Sequence, residues 1–183
     1  VFGAGNGDPN DPAKGIVTSN PVVTIGDAVA GHYVVVAENV YGGGNNASVT
    51  GSTSVTYNDN NASSTVAKLF GGGNAAGVSQ AVAVTINGGT VTTGVYGGCN
   101  ASGTIGTDIV LGLNGGTIGS VDGTTNIVFG GGYGAGTSTN GNITVNVNGS
   151  TIHGHVYGGS ALGSVNDAAA DATTVNVLAG TVN

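Results

Sequence analysis

One short phrase recurs six times along the chain: an apolar residue, an aromatic ring, then a glycine-rich turn. The copies are Val1-Phe2-Gly3-Ala4-Gly5-Asn6, Val40-Tyr41-Gly42-Gly43-Gly44-Asn45, Leu69-Phe70-Gly71-Gly72-Gly73-Asn74, Val95-Tyr96-Gly97-Gly98-Cys99-Asn100, Val128-Phe129-Gly130-Gly131-Gly132-Tyr133 and Val156-Tyr157-Gly158-Gly159-Ser160-Ala161. Their aromatics lie 39, 29, 26, 33 and 28 residues apart, a period that belongs to solenoids, propellers and arrays. The chain therefore reads as a single repeat domain over 1-183, with repeats near 1-39, 40-68, 69-94, 95-127, 128-155 and 156-183.

Each phrase is followed by a second apolar segment: Val23-Thr24-Ile25, Val55-Thr56-Tyr57, Val84-Thr85-Ile86, Val110-Leu111-Gly112-Leu113, Val145-Asn146-Val147 and Val175-Asn176-Val177. Four copies then reach Gly89-Thr90-Val91, Gly116-Thr117-Ile118, Ser150-Thr151-Ile152 and Gly180-Thr181-Val182. Period-two alternation in Val, Ile, Thr and Tyr favours strand, because such side chains fit a pleated surface and point to alternate faces. One repeat thus predicts three short strands separated by turns. No stretch carries a sustained helical stripe, and the best helical candidate, 168-172, is too short to stand alone.

The glycine triplets predict a sharp corner at one place in every repeat, since glycine and asparagine tolerate the left-handed region. Stacked in register, Asn6, Asn45, Asn74 and Asn100 would form an amide ladder above a buried column of six aromatics. Tyr133 and Ala161 replace the asparagine in the last two copies, so that ladder should stop partway. The first repeat is the longest, and its Gly7-Asp8-Pro9-Asn10-Asp11-Pro12 is expected to bulge as a loop.

Glycine numbers 38 in 183 residues, and charged residues make up only 6%. Low-complexity disorder competes with a fold on those grounds, but a positive mean hydropathy and spaced β-branched alternation argue for a packed chain. The net charge is −7, with no Arg and only Lys14 and Lys68 as cations, so no basic patch exists to hold nucleic acid or an anionic membrane. One cysteine, Cys99, permits no intrachain disulfide; in place of a third glycine it reads as a small filler at a corner. The chain starts inside a copy of the phrase and has no leader or membrane-spanning apolar run, so it is expected to be a segment of a longer protein.

The phrase Asn39-Val40-Tyr41-Gly42-Gly43-Gly44-Asn45, with Val84-Thr85-Ile86-Asn87-Gly88-Gly89-Thr90-Val91 leading into Val95-Tyr96-Gly97-Gly98, resembles the glycine-rich repeats of large bacterial secreted and surface proteins with parallel β-helix, autotransporter or adhesin-like passengers. That resemblance implies a structural or adhesive role outside the cell and carries over no catalytic residue. The fold expected is all-β, a parallel β-helix of about six coils with roughly three strands per coil. A propeller is the rival architecture, but its blades need about 40 to 50 residues and four strands.

Gly42-Gly43-Gly44-Asn45-Asn46-Ala47 and Gly71-Gly72-Gly73-Asn74-Ala75-Ala76 match a dinucleotide-binding turn, but no helix follows to meet a pyrophosphate. His153 and His155 would share one face of a strand and, with only His32 elsewhere, make an incomplete metal site. Asp8 and Asp11 supply too few oxygens for calcium by themselves. Glycoside cleavage needs paired carboxylates, whereas Asp27, Asp59, Asp108 and Asp122 are scattered, with Asp27 and Asp59 equivalent in adjacent repeats. Thr90-Val91-Thr92-Thr93 raises an ice-binding face that the other repeats do not reproduce.

The expectation is a non-catalytic extracellular or cell-surface β-helix, with no catalytic, cofactor or metal residues, serving as stalk, adhesin passenger or self-assembling filament subunit. Its partners would be further copies, through coil ends or strand edges, or a host or cell-surface glycan. The alternative is a carbohydrate-binding or carbohydrate-cleaving β-helix, which would present exposed aromatics along a groove.

Overall fold

The computed structural model describes residues 1–121, 127–166 and 168–183. Among them every regular element is a strand, and the strands stack in parallel as a β-solenoid of about five turns. This is the parallel β-helix expected from the repeat. The segment 168-172 is a turn, closed by Asp171 N–H donating to the Ala168 carbonyl.

Three faces are built from the repeat. The first stacks Val22–Ile25, Thr53–Tyr57, Val82–Ile86, Ile109–Leu113 and the leading halves of Ile143–Ile152 and Thr173–Val182. The second stacks Val35–Tyr41, Thr65–Phe70 and Thr90–Tyr96, in which the Thr-Val step and the aromatic phrase merge into one bulged strand. Farther along, the same face is divided between Thr117–Ile118 and Ile127–Phe129, and then between the end of Ile143–Ile152 and His155–Tyr157. The third is a short face not read as a strand from sequence: Ser102–Ile105, Gly136–Thr139 and Ser164–Val165, continued through bridges at Val17, Val49 and Val78.

Strand alternation sends one residue in two to the interior. Val55, Val84, Leu111 and Val145 form one aliphatic column, Val66, Val91, Ile118 and Ile152 another, and Val49, Val78 and Ile105 a third, all essentially without solvent contact. The outward positions of the first face form two in-register columns, Val22 through Thr174 and Thr24 through Asn176. The third column has a defect: Thr139 occupies the place held by Ile105 and Val165 on either side, and its Oγ1 is buried with no hydrogen-bond partner.

The glycine triplets turn out not to be left-handed corners. None of Gly42, Gly71, Gly97 or Gly130 has positive φ. What they supply is room. Leu69 points inward, Phe70 outward, and Gly71 inward again, where a Cβ would lie 2.4 Å from the Gly97 carbonyl oxygen and 2.4 Å from Val82 Cγ1. Gly97 repeats this one coil later, with the Gly130 oxygen at 2.0 Å and Ile109 Cγ2 at 2.5 Å from the same imagined atom. The gap is so narrow because the turns are hydrogen-bonded coil to coil: Gly71 N–H donates to Tyr96 O (2.9 Å) and Gly97 N–H to Phe129 O (3.0 Å).

Two outcomes follow in chemical denaturation. Gly97→Ala should cost about 3 kcal/mol or more, because the new methyl meets backbone that cannot yield, while Gly159→Ala, whose Cβ meets only Val165 Cγ2 at 3.8 Å, should be neutral or slightly stabilising. Thr139→Val should stabilise by about 1 kcal/mol, since it removes a buried hydroxyl that bonds to nothing.

Candidate functional site

The six aromatics form one continuous stack, Phe2–Tyr41–Phe70–Tyr96–Phe129–Tyr157, with ring centroids 4.6, 5.1, 4.7, 5.7 and 4.9 Å apart and planes within 14° of parallel. The column lies outside the aliphatic core, as a cluster of its own on the outward side of the second face. Its four central rings are nevertheless buried, whereas Phe2 and Tyr157 at the ends are 43% and 46% exposed. Tyr133 meets Tyr96 edge-on at 5.3 Å, and the Lys68 ammonium lies 5.4 Å from the Tyr133 ring centroid.

Beside the rings runs the expected amide ladder. Asn45 Nδ2 donates to Asn6 Oδ1 (2.9 Å), Asn74 to Asn45 (2.8 Å) and Asn100 to Asn74 (2.7 Å). It stops at Asn100, and Asn100 Nδ2 also donates to the Tyr41 hydroxyl at 3.2 Å, tying ladder to column. A second ladder, Asn58–Asn87–Asn114–Asn148, follows the first face at 3.5, 2.9 and 2.9 Å. Sequence reasoning passed over it, although Asn87-Gly88, Asn114-Gly115 and Asn148-Gly149 stand at the same step after the apolar segment.

Among the described residues, Asp8 and Asp11 are the candidate carboxylates that share a partner. Asp8 and Asp11 accept from the backbone N–H groups of Asn10 and Ala13 (2.9 and 3.1 Å) and share Lys14 at 3.7 and 3.5 Å. Asp27 and Asp59 occupy equivalent turns yet have separate partners. The Asp27 carboxyl is held below its ordinary range by the Val29 N–H and then by His32, whose Nδ1 is 2.9 Å away. Asp59 is buried and accepts from Asn61 N–H (2.8 Å) and the Ser64 hydroxyl (2.7 Å). Asp108 accepts from both nitrogens of Asn142. Asp122 lies outside the described residues. Asp8, Asp11, Asp27 and Asp59 thus each accept the backbone N–H two residues on in their own turn, whereas Asp108 ties its coil to the next.

The expected His153–His155 face does not form, because the strand breaks at Gly154, whose φ is +151°. His153 Nδ1 is 3.5 Å from Asn183 Nδ2, and His155 sits edge-on to Tyr157. Among the described residues no three His, Cys, Asp or Glu side chains gather as a metal site. The turns of the two dinucleotide-like matches run into the bridges at Val49 and Val78, not into a helix. Cys99 is buried in the core, with Sγ donating to the Ala76 carbonyl at 3.3 Å. Burial pushes its thiol from 9.0 up to about 12 and the Tyr57 phenol from 10.0 up to about 12.

No protein-family model matches this chain, and no curated protein or solved structure matches it either. The recurring side chains therefore speak through their geometry, which is that of coil-to-coil stacking.

Phe70→Ala should lower unfolding free energy by about 3 to 5 kcal/mol, and Phe2→Ala by clearly less, because that ring is half exposed. Equal losses in urea titrations would remove the central column from the stabilising core. Alkali should destabilise the fold. Unfolded chain releases the Cys99 and Tyr57 protons near 9.0 and 10.0, whereas the folded chain keeps them to about 12, so stability falls as pH rises through that window. Denaturation midpoints that stay constant above pH 10.0 would contradict those burial-raised values. A thiol reagent at mildly alkaline pH should label Cys99 only after unfolding.

Proposed function

We propose that this chain is a non-catalytic structural or adhesive segment of an extracellular or cell-surface protein, acting as stalk, adhesin passenger or filament subunit. One observation carries the reading: the side chains that recur are spent on one another. Six rings stack face to face, the asparagines bond along the axis, and the first glycine of the turn makes the space between coils. A groove that grips sugars exposes ring faces to them. Here each central ring has its faces against its neighbours, which leaves the carbohydrate reading without its main contact surface.

Adhesive contact has a natural place at the corner between the first and second faces. Turns 26–34 and 58–64 project there together, joined where Asn61 Nδ2 donates to the His32 carbonyl (2.9 Å) and Val34 N–H to the Ser64 hydroxyl (2.9 Å). Tyr33 and Val29 are the exposed apolar groups of this platform. The next two repeats close the same corner with the short turns at Asn87-Gly88 and Asn114-Gly115, and the last two run through it as strand, so the contact surface belongs to one end of the rod.

The reading is tested by incubating the purified chain with a panel of polysaccharides and, in parallel, with proteinase K. The expected result is no release of reducing ends, and cleavage confined to exposed loops such as 7–15 and 26–34 while the coils stay intact. Turnover of any polysaccharide would overturn the non-catalytic claim.

A further inference from the structure

The outward side of the first face carries no charge, although the chain has a net charge of −7. Its leading column runs Val22, Ser54, Ala83, Val110, Thr144 and Thr174, in register through parallel pairing. The column has relief. Val22 and Val110 stand out at 68% and 44% exposure, and between them the small Ser54 and Ala83 leave a hollow of about 250 Å³. The charged group on its rim, Asp108, is already held by Asn142 at 2.8 and 3.3 Å.

We propose that this face packs against the same face of a second copy of the chain, sheet on sheet. Three observations select that occupant. Ridge and hollow lie on the same column, so a two-fold arrangement with antiparallel rod axes seats Val110 of each copy in the other's Ser54–Ala83 hollow, an isologous contact. A second solenoid has the same rung spacing of about 4.8 Å, so the fit continues from rung to rung, which an irregular partner cannot match. Two strongly acidic copies also repel wherever their carboxylates meet, and this face brings none opposite another. Five-residue strands over six rungs present about 450 Å² per copy. That total of roughly 900 Å² falls below the ~1,200 Å² of stable interfaces and in the range of transient ones, so the dimer is weak and reversible.

This inference concerns the side of the rod and stands whether or not coil ends or the corner platform also bind a partner. It is tested by sedimentation velocity over a concentration series, together with disulfide trapping. The native chain should dimerise with rising concentration, and Ala83→Lys should weaken dimerisation at least tenfold with unchanged melting, because its side chain is exposed. Ala83→Cys, on the rung beside the two-fold axis, should form a disulfide-linked dimer with oxidised glutathione as oxidant, while Ser79→Cys on the third face should not; the native Cys99 is buried and does not interfere. A native chain that stays monomeric, association untouched by Ala83→Lys, or equal trapping at both positions would overturn the proposal. The second of these outcomes would assign association to another surface.

Discussion

Everything in this molecule depends on how closely one coil lies on the next at the glycine turns. The backbone there is hydrogen-bonded from coil to coil, and at Gly71 and Gly97 even a methyl group would overlap the following carbonyl. That contact sets the rung spacing, and the spacing sets the rest. Parallel strands hold the rungs at about 4.8 Å. Aromatic rings in register on successive rungs then have no choice but to stack offset and nearly parallel, as their centroid separations of 4.6 to 5.7 Å show. Asparagines in register reach one rung and hydrogen-bond.

The same constraint explains the poverty of charge. On a solenoid every side chain repeats above itself, so a charge placed in the repeated phrase would meet its own copy one rung away and repel it. Amides escape this, since each is both donor and acceptor and can satisfy the one below. Asp8, Asp27 and Asp59 accordingly sit in turns, where they accept backbone N–H groups, and Glu38, which lies in the strand Val35–Tyr41, is exposed to solvent. Asp59 tolerates burial because a hydroxyl and an amide reach it from its own loop.

A scaffold built in this way leaves function to its margins. The interior is aliphatic, the aromatic layer is closed by its own stacking, and what remains are the uncharged flank of the first face and the loop corner at 26–34 and 58–64. Both surfaces lie on the outside of the coils, clear of the packed interior.

The repeat spacing, the strand alternation, the aromatic column and the ladder from Asn6 to Asn100 were legible in the sequence, because each is a local pattern that periodicity alone places on a rung. The third face was not legible: its segments are short and end on Val, Ile or Thr without alternation, and they become strands only when a neighbouring coil pairs with them. Nor could sequence show that the glycines serve close packing instead of positive φ, since both demands select the same residue. The outward placement of the rings, the missing partner of Thr139 and the different partners of Asp27 and Asp59 are likewise tertiary facts. Sequence alone determined what repeats and at what period; which side of the wall each repeated residue occupies, and what it meets there, was decided by the winding that lays one coil on the next.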